Sequence, residues 1–265
     1  MSEQAPSGDE PVARGGLVPD GGPVAGSAHE DRPVGVVGYV GAAAREVVIV
    51  LAMAMVLSFV VKTWLIQAFY IPSGSMEDTL LVGDRVVVSK LTPGPLDLAR
   101  GDVVVFEDPG GWLESVPLPE RTGVGGAVHS VLVFVGLLPS ESEDHLIKRV
   151  IGLPGDTVSC CDDDGRLVVN GVAVDEPYVF PGDEPSTRRF DITVPEGRVW
   201  VMGDHRSDSE DSRFHDPSGS GEEGAVPIDR ITGRAVGVVW PLARLSWLGD
   251  YPQSFSGVPA AGGAP

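Results

Sequence analysis

From Val47 to Lys90 the chain reads VVIVLAMAMVLSFVVKTWLIQAFYIPSGSMEDTLLVGDRVVVSK, and the pattern changes halfway along it. Val47 to Val61 carries no charge and is apolar all round; beyond Lys62 the apolar character continues through Trp64, Leu65 and Ile66. That length matches the about 20 residues that cross a hydrocarbon core. Lys62 is compatible with such a span because a long amine snorkels to the headgroups, while Trp64 and Tyr70 suit the interface. A soluble core helix would keep a polar stripe, and a cleavable leader would be shorter and closer to the N-terminus. The reading is one retained transmembrane helix over residues 45–67.

Beyond this segment, short β-branched runs alternate with Gly, Pro and Asp, the signature of an all-β domain. Strands are predicted at Arg85 to Ser89, Asp102 to Phe106, His145 to Ile151, Thr157 to Cys160, Val199 to Met202 and Ala235 to Trp240. Asn170-Gly171, between Arg166 to Val169 and Val172 to Val174, is the strongest hairpin signal. Val131 to Leu138 is apolar but too short to span a membrane, and it lies in a Gly-, Pro- and acid-rich excursion at 109–144. Residues 1–44 read as a disordered tail and 251–265 as a flexible terminus, with the folded domain at 68–250.

Among 265 residues the formal net charge is −19. Binding to a phosphate backbone needs clustered Lys and Arg, so nucleic acid is excluded as a partner class. The acidic residues are dispersed and describe a solvated surface, with no substrate implied. Cys160 and Cys161 are the only cysteines and are adjacent. They are too few for a disulfide framework or a metal site, and are expected as neighbouring thiols, with a vicinal or intermolecular bridge as the alternative in an oxidising space. No metal and no cofactor is expected.

Ile71-Pro72-Ser73-Gly74-Ser75-Met76 follows the span directly, and nine extended residues hold Ser75 within about 30 Å of Ile66. A Ser-Gly-Ser turn alone is usually only a turn. A serine becomes a nucleophile when a nearby group takes its proton, and none of His29, His129, His145, His205 and His215 has a recognisable triad setting. Lys148, in His145-Leu146-Ile147-Lys148-Arg149-Val150, is better placed. On a strand it shares a face with Leu146 and Val150, and an apolar face lowers an amine's pKa.

These segments, taken in order, resemble a bacterial type I signal peptidase. The span is followed by Ser73-Gly74-Ser75-Met76 with Thr79-Leu80, then by Gly83-Asp84-Arg85-Val86-Val87-Val88 and Lys148-Arg149-Val150-Ile151-Gly152-Leu153-Pro154-Gly155-Asp156. The fourth block is Gly203-Asp204-His205-Arg206-Ser207-Asp208-Ser209-Glu210-Asp211-Ser212-Arg213, and Val238 to Leu242 resembles the family's end.

The resemblance implies a mostly β, antiparallel catalytic domain anchored by one N-terminal transmembrane helix, acting as a serine endopeptidase that removes signal peptides after small residues. Ser75 would be the nucleophile and Lys148 the general base. The Ser75 N–H and Ser73 hydroxyl would form the oxyanion hole, and Ser209 would orient the amine. Asp204 would pair with Arg149 and Asp211 with Arg213.

The charges flanking the span leave its orientation open. The resemblance implies a single-pass protein of the cell membrane, with its N-terminus cytoplasmic and its catalytic domain on the outer face. Its partners would be the bilayer and preproteins delivered by the export machinery. Two departures stand out: the family often has Pro at the position of Asp78 and Asn at that of His205. A self-cleaving repressor-type Ser/Lys protease would instead carry a soluble DNA-binding N-terminus. A non-catalytic membrane scaffold would not need Ser73, Ser75, Lys148 and Ser209 together.

Overall fold

The computed structural model describes residues 36–113, 125 and 144–262. The tail up to residue 35, most of the 109–144 excursion with its apolar run at Val131 to Leu138, and the last three residues lie outside them.

Helix α1 covers Val36–Trp64, and Ala43–Val61 within it is long and apolar enough to cross a membrane. Apolar side chains along it, from Val47 to Phe59, are exposed. A helix keeps its backbone bonds within itself, which suits such a segment to hydrocarbon. Its ends differ from the sequence reading of 45–67. The run VVGYVGAAA extends the helix back into the stretch read as tail. At the other end Leu65 closes on the Val61 carbonyl, and Ile66–Tyr70 leaves the helix to form strand β1. Strand pairing explains the change: β1 runs antiparallel to β2 (Arg85–Ser89) in the register Ile66↔Ser89 to Tyr70↔Arg85.

The remaining strands are β3 (Val103–Glu107), β4 (His145–Gly152), β5 (Thr157–Cys160), β6 (Leu167–Val169), β7 (Val172–Val174), β8 (Phe190–Thr193), β9 (Arg198–Met202), β10 (Val226–Pro227), β11 (Ile231–Trp240) and β12 (Ser246–Trp247). All pairings are antiparallel. The larger sheet runs β1-β2-β11-β3-β4-β9-β10 with β12 on β11, and the smaller runs β7-β6-β5-β8. The Asn170-Gly171 hairpin is present, both residues at positive φ as a tight two-residue turn requires.

Strand β4 lies between β3 and β9 and is buried from Ile147 to Gly152. Its register sets Lys148 opposite Val104, and Arg149 opposite both Val103 and Met202. One apolar cluster gathers Val104, Phe106, Val150, Val199 and Val201. A second joins Phe69, Ile71, Met76, Leu80, Val86 and Ile147. A third, around Trp200, Tyr178 and Ile192, fills the smaller sheet.

Two further expectations are corrected. Cys160 and Cys161 are joined as a vicinal disulfide rather than standing as thiols, their adjacent sulfurs meeting at the end of β5. The terminus read as flexible from residue 251 is packed: helical turn α2 (Pro252–Phe255) and the residues after it bury Phe255 and Val258 against Trp200 and Tyr178. Its Gly- and Ala-rich composition hid two apolar anchors spaced three residues apart.

Candidate active site

The turn carrying Ser75 begins where β1 ends. Ile71 is tied to the Asp84 and Gly83 backbone, and Met76 and Leu80 sink fully into the core, so the turn between them is held from below. Glu77 N–H donates to the Gly74 carbonyl and Leu80 N–H to that of Met76. Asp78, at the position where the family often carries Pro, has φ of +81°. A proline ring, locked near −65°, could not take that shape. The turn is therefore fixed by its hydrogen bonds and buried side chains.

Ser75 is buried, and its Oγ lies 2.5 Å from Lys148 Nζ. Ser73 is an exposed residue, and its Oγ lies 3.4 Å from Ser75 Oγ. No acceptor among the described residues takes the Ser75 N–H, which leaves it available to a ligand. Burial pushes the Lys148 amine down to about 8; Asp211 and Asp204 pull it back up and Arg213 lowers it further. Both nearby carboxylates are already engaged by arginines. Their charges, with that of Asp208, still favour the protonated amine, but desolvation is the larger influence and decides the outcome.

Arg149, the next residue, is wholly buried and makes a bidentate pair with Asp204, Nε to Oδ1 at 2.8 Å and Nη2 to Oδ2 at 2.6 Å. Such a fork is the strong form of this contact. The β4–β9 register creates it, because Arg149 faces Met202, two residues before Asp204. Asp204 also accepts the Thr79 hydroxyl at 2.5 Å, which ties the nucleophile turn to β9. The Arg149 guanidinium lies over Tyr178 and Tyr251 and donates to the Gly101 and Gly249 carbonyls.

Asp211 accepts Arg213 through both oxygens at 2.8 and 2.7 Å, together with the Gly203 N–H and the Ser209 hydroxyl. Burial alone would raise this carboxyl, but those donors and the Arg213 charge hold it below the usual carboxylate range. The Ser209 hydroxyl, assigned by resemblance to the Lys148 amine, therefore donates to Asp211. Gly203 explains how these parts fit together. A Cβ there would strike the Ser75 carbonyl and the Ser209 side chain, so only glycine lets the two loops meet. His205 donates its backbone N–H to the Ser75 carbonyl, stacks its ring on Phe180, and holds Nδ1 3.5 Å from Glu77.

Sequence reasoning did not find the roles of Thr79, Gly203, Tyr178 and Tyr251. Thr79 and Gly203 lay inside quoted motifs, but their contacts depend on chain segments far apart. Among the described residues no cluster of His, Cys, Asp and Glu is arranged to hold a metal ion.

A β domain that presents a buried serine hydroxyl to a desolvated amine has the equipment of a serine hydrolase, able to transfer an acyl group without a histidine. Comparison with known proteins narrows the class. Residues 44–240 match the family model described as signal peptidase, peptidase S26. A probable signal peptidase I of Mycobacterium leprae (strain TN) is 37% identical over 230 residues, covering 77% of this chain and 79% of its own. Signal peptidase I of Mycobacterium tuberculosis (strain ATCC 25618 / H37Rv) is 38% identical over 218 residues, covering 76% and 74%. One from Pseudomonas fluorescens is 33% identical over 226 residues, covering 73% and 72%. The chain belongs to the signal peptidase family, peptidase S26, a family of serine endopeptidases.

Proposed function

We propose that this chain cleaves signal peptides from preproteins by acyl transfer to Ser75, with Lys148 as the general base. The observation that carries the reading is the 2.5 Å approach of Lys148 Nζ to Ser75 Oγ where burial keeps the amine's proton loosely held. The family match and its signal peptidase relatives supply the substrate class.

In this mechanism neutral Lys148 takes the Ser75 hydroxyl proton as Oγ bonds to the scissile carbonyl carbon. The Ser75 N–H and the Ser73 hydroxyl receive the developing oxyanion. Collapse breaks the C–N bond, and Lys148 returns its proton to the departing amine of the mature protein. Water, deprotonated by the same amine, then releases the signal peptide with a new carboxyl end and restores Ser75. Ser209 acts on Lys148 through Asp211, whose charge reaches the amine. The Arg149–Asp204 and Arg213–Asp211 pairs fix the two loops.

The same proposal assigns α1 as a single membrane span with the N-terminus cytoplasmic and the catalytic domain outside. Exported precursors arrive on that side with their cleavage sites near the bilayer. Substrates would be delivered by the export machinery, and the small residues preceding the cut would seat in shallow apolar pockets.

The test is cleavage of a preprotein by the purified chain in detergent. Wild type cuts at the small-residue site, and Ser75→Ala and Lys148→Ala each abolish cutting while circular dichroism remains native. Normal cleavage by either variant overturns the mechanism.

A further inference from the structure

The family match ends at residue 240, and every residue assigned to bond-making precedes it. The chain beyond β12 nevertheless returns to the site. Leu248 N–H donates to the Val236 carbonyl, and the Gly249 carbonyl accepts Arg149 Nη1 at 3.1 Å. The Tyr251 ring lies 5.2 Å from Arg149 Cζ and 5.1 Å from the Tyr178 ring, which itself lies 4.2 Å from that carbon. Phe255 and Val258 then anchor in the core beside Trp200 and Tyr178. The Pro259 carbonyl takes hydrogen bonds from Arg100 and Asn170.

Tyr251 itself holds φ of 47° and ψ of 54°, the left-handed region. A bulky residue rarely adopts it, and such positions persist only when the surroundings impose them. Here the surroundings are the Gly249 bond on one side and the buried Phe255 and Val258 on the other. They press an aromatic face against a cation that no water reaches.

We propose that residues 248–259 form a strap, and that Tyr251 is a positioning residue which holds Arg149 for catalysis. Arg149 touches no reacting atom. It fixes Asp204, which takes the Thr79 hydroxyl on the nucleophile turn and precedes His205, whose N–H holds the Ser75 carbonyl. The strap supplies Arg149 with one carbonyl acceptor and one aromatic face. Without them a buried guanidinium must tilt or admit water, and Asp204 moves with it. This inference rests on the Ser75 and Lys148 mechanism proposed above.

The experiment measures kcat and KM for preprotein cleavage per mole of folded full-length enzyme, with wild type, Tyr251→Phe and Tyr251→Leu. Tyr251→Leu is expected to lower kcat about tenfold with KM little changed, and Tyr251→Phe, which keeps the ring, to restore most of it. In an Arg149→Lys background, the Tyr251→Leu change should add little further loss, as coupled residues are not additive. If Tyr251→Leu does not accumulate, Tyr251→Met fills the same space without an aromatic face and carries the same expectation.

A Tyr251→Leu enzyme with wild-type kcat overturns the proposal, as does a loss that Tyr251→Phe shares in full. A lowered melting temperature with kcat intact means the strap only stabilises the fold, and also overturns it. Ser75→Ala in the same preparations tests the nucleophile separately. Residual cutting by that variant defeats the mechanism whatever Tyr251 does.

Discussion

Lys148 and Arg149 are consecutive on β4 and both buried, yet their charges are treated in opposite ways. Arg149 is neutralised by a bidentate carboxylate, whereas the contact of Lys148 is the uncharged Ser75 hydroxyl. One cation is locked in its charged state and its neighbour is made easy to discharge. Strand alternation allows this, because adjacent side chains leave the sheet on opposite faces.

The first prediction concerns pH. Only neutral Lys148 can accept the serine proton, and its pKa is lowered to about 8 by burial. Cleavage should therefore rise about tenfold per pH unit below that value and level off above it. Initial rates of preprotein cleavage between pH 6 and 10 read this directly. A profile flat from 6 to 8 would remove Lys148 as the base.

The same burial lowers stability. The proton on Lys148 is held more weakly in the folded chain, about 8, than at the ordinary 10.5 of an unfolded one. Unfolding takes up a proton between those values, so stability rises with pH across the window, and the cost is complete below about 8. That cost is on the order of 3 kcal/mol. Lys148→Met is expected to melt above wild type at pH 7, with the gap closing as pH rises from 8 to 10.5. A melting temperature equal to wild type at both ends of that range would argue against a strained amine.

Much of this was legible in the sequence because local pattern carries it. The period-two runs at Arg85, Thr157 and Val199 became strands nearly as read, since β-branched residues between turn formers have little other choice. Ile66 and Gln67, read as the end of the span, open strand β1, because an apolar run is equally suited to a membrane and to a buried strand. Composition cannot tell which partner, lipid or β2, takes its hydrogen bonds. The Ser75 turn and Lys148 were legible as motifs, whereas their 2.5 Å approach is a product of the fold. Thr79 on Asp204, and Tyr251 on Arg149, join residues more than 100 positions apart and leave no local trace.

Gly203 should be the most sensitive small residue in the site. A methyl group there meets the Ser75 carbonyl and Ser209, backbone and side chain that are both held from the far side. Gly203→Ala must push the nucleophile turn away from β9, and a displacement near 1 Å costs about 100-fold in rate. The expected result is a fall in kcat of about that size in soluble, folded enzyme. An Ala variant with more than half the wild-type kcat would show that the two loops can separate freely.

Asp211 connects stability to the position of the pH limb. It is fully buried, and its two oxygens hold Arg213, the Gly203 N–H and the Ser209 hydroxyl while its charge supports the proton on Lys148. Asp211→Asn removes an anion near the amine and leaves Arg213 uncompensated, and both changes disfavour the charged amine. The acid limb of the rate profile should move to lower pH, while breaking the buried pair costs about 3 to 5 kcal/mol of stability. The profile and a melting curve, taken on one preparation, separate the two effects. A limb that stays in place or moves up would mean that Asp211 braces the loop without governing the charge on Lys148.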